Sequence, residues 1–167
     1  TAELKEAIRH KFSSQNRIDF DNTEVTASSG AKQIIFNAFM ATLNQDDEVI
    51  IAAPYWVSYP HMIRLFNAKP VVIETSAKED FKTTAGKLNS AITAKTKWLI
   101  LNSPSNPTGM AYTYEDLEAI AKIVTSNPKL MVLSDDIYEH ILYEGSTYYS
   151  IAAVEPAIKS QVLTVNG

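Results

Sequence analysis

The sequence predicts an α/β fold, a mainly parallel sheet flanked by helices, and three observations carry that prediction. Short β-rich apolar runs alternate along the chain with longer segments of helical period. The length of 167 residues, with 46% hydrophobic and 20% charged residues, suits one globular domain with a substantial buried core. Polar clusters follow several of the apolar runs, and in open α/β sheets ligands collect outside the carboxyl ends of the strands.

In chain order, Thr1-Ala-Glu-Leu-Lys-Glu-Ala opens in an amphipathic helical pattern. Strands are expected at Glu24–Ser28, Glu48–Ala52, Pro70–Glu74, Lys97–Asn102, Leu130–Ser134 and Gln161–Val165, where β-branched and aliphatic residues cluster. Helices are expected between them at Ala31–Leu43, Trp56–Phe66, Thr84–Ile92 and Thr113–Thr125. Thr113-Tyr-Glu-Asp116 starts the last of these: the threonine hydroxyl serves as N-cap, and two acidic residues suit the positive end of the helix dipole. There is no internal repeat, low-complexity tract or long linker.

Composition excludes several function classes. Net charge is −4 and the basic residues are scattered, so no electrostatic footprint for DNA or RNA is present. The absence of cysteine rules out disulfides and thiolate metal sites and favours a reducing, cytoplasmic setting; no metal is expected. No apolar run approaches the roughly 18 residues of a membrane-spanning helix, so no membrane association is expected.

Four clusters carry candidate chemistry. In Ser28-Ser29-Gly30-Ala31-Lys32-Gln33, a glycine before a helix lets backbone approach a ligand, and free amides favour a phosphate; alternatively Ser29 caps the helix and Gly30 suits the turn. Neither GxxxxGK(S/T) nor GxGxxG occurs, which disfavours a nucleotide. In Ala53-Pro54-Tyr55-Trp56-Val57-Ser58-Tyr59-Pro60, Trp56 offers a flat stacking surface for a heteroaromatic ring, or the aromatics are ordinary packing residues. In Asn102-Ser-Pro-Ser-Asn106-Pro107-Thr108-Gly109, prolines hold a turn from which the Asn106 amide donates to a phenolate-like oxygen, or the segment is a simple loop.

The fourth cluster is Ser134-Asp135-Asp136-Ile137-Tyr138-Glu139-His140. A carboxylate directly after Leu130-Met-Val-Leu133 is expected to be partly buried and to need a positive or donor partner, such as a protonated pyridine nitrogen. Tyr138 reaches the hydroxyl of the same ring; on the other reading Asp135 caps a local turn. Asp136 and Glu139 are expected to face solvent or structural partners, and His140 is read as a surface residue.

These segments, together with Thr164-Val-Asn-Gly167, resemble in order and spacing the fold-type I pyridoxal-phosphate aminotransferases of the class I/II group, specifically the bacterial aspartate aminotransferase branch. The resemblance implies a pyridoxal 5′-phosphate site. Gly30, Ala31 and Lys32 would hold the phosphate, and Trp56 would stack on the ring while bordering the substrate carboxylate. Asn106 and Tyr138 would bond the ring hydroxyl, Asn106 also lying near the substrate carboxylate, and Asp135 would pair with the pyridinium nitrogen.

The resemblance further implies amino-acid and 2-oxo-acid substrates, aspartate foremost, and a homodimer for the full-length enzyme. Alternatives are an aminotransferase of the same branch acting on prephenate or aromatic amino acids, and a naturally truncated, non-catalytic binding module. In the family, Thr-Val-Asn-Gly is soon followed by the lysine that forms the Schiff base, so no catalytic residue is assigned within residues 1–167. Lys159 does not occupy the motif position. Residues 1–167 are thus expected to be part of the cofactor-binding large domain, without its C-terminal part or the small domain. Such a piece is expected to be inactive alone and to self-associate or require the rest of its chain.

Overall fold

A computed structural model describes all residues from 1 to 167. Strands β1 (Glu48–Ala53), β2 (Lys69–Glu74), β3 (Thr96–Asn102), β4 (Met131–Asp135) and β5 (Val162–Val165) form one five-stranded sheet in the order β2-β1-β3-β4-β5. Every pairing is parallel. The helices are α1 (Ala2–Lys11), α2 (Ala31–Thr42), α3 (Ser58–Leu65), α4 (Ala85–Ala91), α5 (Tyr114–Thr125) and the short α6 (Ile151–Val154). The predicted fold class is the observed one, and the expected elements after Gly30 lie within a few residues of their places.

Side chains alternate across a strand, so each strand feeds two cores. Ile50, Leu99, Leu101 and Val132 face one side, against Leu88 of α4, Leu117, Ile120 and Val124 of α5, and Ile151 of α6. Val49, Ile51, Trp98, Ile100 and Leu133 face the other, against Ile35 and Phe39 of α2 and Tyr59, Met62 and Ile63 of α3. The same parity sends Asn102 and Asp135 toward α2 and α3, and Ser134 and Asp136 toward the opposite face. Polar residues two positions beyond each buried pair therefore emerge at the strand ends already sorted by side.

Strand order places the ligand crevice. The chain runs outward from β1 to β2 through α3, then crosses back through α4 on the other face to enter β3 beside β1. The carboxyl ends of β1 and β3 thus diverge at a switch point, where open sheets of this order bind ligands. Thr113 caps α5 as expected: its Oγ1 accepts from the Asp116 amide at 3.2 Å, while Asp116 accepts from the Thr113 amide at 3.0 Å and pairs with Lys82 at 2.7 Å. No helix is long and apolar enough to cross a membrane.

The strand expected at Glu24–Ser28 does not form. Asn22–Glu24 is a 3-10 turn closed by Glu24, which accepts from the Asp21 amide at 2.8 Å and pairs with Lys159 at 3.0 Å. Val25 is extended at φ −106 and ψ 128, yet a groove of about 570 Å³ separates Val25–Ser28 from Val162–Thr164 of β5. A β-rich run becomes a strand only beside another backbone, and within residues 1–167 no strand pairs with this one. Consequently the Ser28–Gly30 turn follows an unpaired extended segment, not a sheet strand.

Leu99 lies on the central strand and is 1% exposed. Leu99→Ala is expected to lower unfolding free energy by about 2–5 kcal/mol in urea denaturation, through lost transfer energy and a residual cavity. A loss below about 1 kcal/mol would show that the core collapses around the gap.

Candidate functional site

The strand-end clusters converge because β3 and β4 finish in register, Asn102 opposite Asp135. Asn102 Nδ2 donates to the Asp135 carbonyl at 2.8 Å, and Asn102 Oδ1 accepts from the Asn106 amide at 2.8 Å. One side chain thereby ties the end of β4 to the turn that carries Asn106. That turn closes on itself, the Gly109 amide donating to the Ser105 carbonyl at 2.7 Å and the Ser105 amide to the Met110 carbonyl at 2.9 Å. Gly109 has φ +72, and the Tyr143 ring lies within 2.8 Å of where a β-carbon would stand, so any side chain there meets both backbone strain and a clash. The Ala53–Pro54, Ser103–Pro104 and Asn106–Pro107 peptides are cis.

Asp135 is 4% exposed. Its Oδ2 accepts from the Tyr59 hydroxyl at 2.5 Å, while Oδ1 is buried without a partner. Burial pushes the carboxyl above its ordinary range, and the Tyr59 hydroxyl and Ile137 amide pull it partly back. The Tyr59 phenol is pushed up in turn, by burial first and then by the Asp135 charge. No lysine, arginine or histidine forms an ion pair with Asp135. A buried carboxylate with one free oxygen and no cation is a strong acceptor for a positively charged or N–H-bearing group.

Around it lies a cleft of about 210 Å³. Ala31, Lys32, Trp56, Asn106, Asp135 and Tyr138, six of the seven residues named from sequence, line this one cleft. Gly30 lines the adjacent groove toward β5. The Lys32 ammonium stands 4.9 Å from the Trp56 ring centroid, and Trp56 meets Tyr59 edge to face at 5.3 Å. The rim thus carries a cation over an aromatic face, and the floor carries an anion.

The backbone at the start of α2 shows which residue precedes the helix. Gly30 is the residue before the helix, with φ 89 and ψ 161, and Ser29 makes no side-chain cap. Instead Gln33 Oε1 accepts from the Ser28 hydroxyl and the Ser29 amide, both at 2.8 Å. The Gln33 amide donates to the Gly30 carbonyl at 3.1 Å, which leaves the Ala31 and Lys32 amides at the start of α2 free to meet an anion.

Sequence reasoning assigned no role to two further cleft residues, Tyr59 and Asn102. Tyr59 read as a packing residue; it lies only three positions after Trp56, whose ring it meets edge to face, and that proximity is the available signal. Asn102 ends an apolar strand, where a polar residue faces the ligand crevice. Asp136 and Glu139 are not solvent-facing: they are 1% and 4% exposed, and of the two expectations only structural partners hold. Glu139 pairs with Lys11 and accepts from Asn16 Nδ2 at 2.6 Å. Burial pushes its carboxyl up, and Lys11 and Asn16 outweigh that, leaving it below the ordinary range. His140 is exposed, as expected.

The family model described as "Aminotransferase class I and II" matches residues 1–167. A protein of Rickettsia bellii named "Probable aspartate/prephenate aminotransferase" is 50% identical over 164 residues, covering 98% of this chain and 41% of its own length. An "Aspartate aminotransferase" of Rhizobium meliloti is 47% identical over 167 residues, covering 100% of this chain and 41% of its own length. The crystal structure of an aspartate aminotransferase from Rhizobium meliloti superposes with a TM-score of 0.98 at 47% identity, over 100% of this chain and 42% of that one. An aromatic aminotransferase from Pyrococcus horikoshii superposes at 0.94 with 39% identity, over 99% and 44%. The chain therefore spans about two fifths of the length of the curated relatives it matches.

Tyr59→Phe removes the side-chain donor to Asp135 and is expected to cost about 1–3 kcal/mol of stability near neutral pH. Because the folded Asp135 carboxyl already sits above its unfolded value, the native state binds its proton more tightly, and stability from this group falls as pH rises from the unfolded value through the folded one. Losing the donor enlarges that fall, so urea denaturation should show a larger deficit at about pH 8 than at about pH 5. Equal deficits would mean that the hydroxyl acts only through packing.

Proposed function

The chain belongs to the class I and II aminotransferase family, and from that premise we propose that its protein moves an amino group between an L-amino acid, aspartate foremost, and a 2-oxo acid, using pyridoxal 5′-phosphate. The observation that carries the reading is Asp135: a buried carboxylate without a cation, one oxygen bonded to Tyr59 and the other unpartnered, beside a cleft lined by Lys32, Trp56, Asn106 and Tyr138. That donor set fits a protonated pyridine ring carrying an anionic tail.

When bound, the cofactor supplies an electron-withdrawing ring that takes up the electron pair released as the substrate loses its α-proton. Asp135, with Oδ1 unpartnered, would accept the ring N–H and keep that nitrogen protonated, the state in which the ring is electron-poor. Tyr59 holds Oδ2 and fixes the carboxylate plane. Trp56 would supply a stacking face, and Asn106 and Tyr138 would donate to the ring hydroxyl. The Lys32 side chain and the Ala31 and Lys32 amides would meet the phosphate dianion, with Gly30 providing the turn before the helix. Trp56 and Asn106 also border the substrate carboxylate.

A second substrate reading, prephenate or an aromatic amino acid, draws on the relative named "Probable aspartate/prephenate aminotransferase" and on the structural neighbour named an aromatic aminotransferase. Assay of the full-length protein with 2-oxoglutarate separates the two by whether aspartate or an aromatic amino acid is the better donor. We further propose a homodimer in the cytoplasm, with residues 1–167 forming part of the cofactor-binding domain.

Titration of the full-length protein with pyridoxal 5′-phosphate is expected to give a saturable absorbance change. Asp135→Asn is expected to weaken that binding about tenfold to a hundredfold, the worth of a charge-assisted hydrogen bond, and to depress aspartate turnover. Absence of saturable binding in the unmodified protein would refute the reading.

A further inference from the structure

Behind Asp135, on the opposite face of the sheet, stands a second buried acid that the reading above does not use. Asp136 is 1% exposed. Its Oδ1 accepts from the Ser134 hydroxyl at 2.8 Å and its Oδ2 from the Tyr148 hydroxyl at 2.6 Å. Its amide donates to the Val165 carbonyl at 2.8 Å, so the residue joins β4 to β5. Tyr148 belongs to the segment from Ile141 to Tyr149, which also lays Tyr143 on Gly109 in the Asn106 turn. One strap thus touches the molecule at two places, each next to a residue of the cleft.

We propose that Asp136 is a positioning residue for Asp135: latched by Ser134 and Tyr148, it holds the end of β4 so that Asp135 keeps its aim into the cleft, and its charge adds to the pull on the proton there. The proposal rests on the reading that Asp135 pairs with the ring nitrogen of pyridoxal 5′-phosphate. Adjacent residues of a strand point to opposite faces, so fixing the side chain of one fixes the rotation of the peptide that carries the other. A buried polar group satisfied by two donors is rigid in a way that an exposed one is not.

The charge around Asp136 has a definite arrangement. Tyr148 faces it from the strap, Asp135 adjoins it on β4, and Glu139 follows in the next turn with its own charge balanced by Lys11. The neighbouring groups from β5 and the start of α6, Val165 and Ser150, do not titrate, and no cation pairs with Asp136. Burial pushes the carboxyl up to about 7, the hydroxyls of Tyr148 and Ser134 oppose that, and the charges of Asp135 and Glu139 add to it. Near neutrality Asp136 therefore passes from a neutral acid to an anion, and as an anion it raises the proton affinity of the neighbouring Asp135 and ring-nitrogen pair.

The test is pyridoxal 5′-phosphate binding to the full-length protein, followed by absorbance across pH, with thermal unfolding of the cofactor-free forms alongside. Asp136→Asn keeps the shape and removes the charge. Its affinity is expected to match the unmodified protein at about pH 5.5 and to fall about tenfold below it at about pH 8.5, one pKa unit's worth of interaction. Tyr148→Phe keeps the carboxyl and removes a donor, so the pH at which its affinity changes slope should move upward. It also covers the case in which Asp136→Asn fails to fold. A deficit equal at all pH values, or a slope change that Tyr148→Phe leaves in place, would reduce Asp136 to a structural residue and overturn the proposal. Lack of saturable binding by the unmodified protein would instead sink the cofactor reading, and this inference with it.

Discussion

A carboxylate held in the interior without a cation governs this structure. Moving an anion out of water costs several kcal/mol even after relaxation, and Asp135 meets that cost with one phenol, one backbone amide and an oxygen left without a partner. Other features of the cleft support that arrangement. Helix α3 packs through Met62 and Ile63, which sets Tyr59 at the right height. Asn102 bonds the carbonyl of Asp135 itself, so the strand end cannot rotate without breaking the link to the Asn106 turn. The unpartnered oxygen, Asp135 Oδ1, belongs to a residue that lines the cleft.

The sheet explains why such a site is affordable. Two separate apolar cores clamp β1, β3 and β4 from both faces, with Ile50, Leu99, Leu133 and Val132 each at most 1% exposed. Their burial stabilises a rigid platform on which polar residues at the strand ends are stationary. At the end of β4 stands an unsatisfied polar atom, the Asp135 Oδ1, where a ligand can relieve it. The alternation of side chains also separates two acids that are neighbours in sequence: Asp135 goes to the cleft, Asp136 to a closed pocket behind it.

The fold was legible because burial on both faces of a parallel sheet leaves a strong mark, runs such as Val49-Ile50-Ile51 and Trp98-Leu-Ile-Leu101. The lining of the candidate cleft was legible where residue type limits chemistry: a carboxylate after an apolar strand and an asparagine in a proline-held turn. Tyr59 was not, since a tyrosine in an aromatic cluster looks the same whether it packs or donates. Asp136 and Glu139 were misjudged in part because charge argues for exposure, and only three-dimensional partners, Ser134 and Tyr148 for one and Lys11 and Asn16 for the other, make burial tolerable. Glu24–Ser28 misled because β propensity reports fitness for a sheet and says nothing of whether a neighbouring strand is present.

The central claim is that Asp135, poised by Tyr59, keeps a pyridine nitrogen protonated. It is tested most directly by loading the full-length protein with pyridoxal 5′-phosphate isotopically labelled at the ring nitrogen and following that nitrogen's chemical shift with pH. The account predicts a shift characteristic of the protonated ring throughout the range in which the protein stays folded, and its loss on Asp135→Asn. A ring nitrogen that loses its proton in the bound state at the same pH as the free cofactor in solution would contradict it.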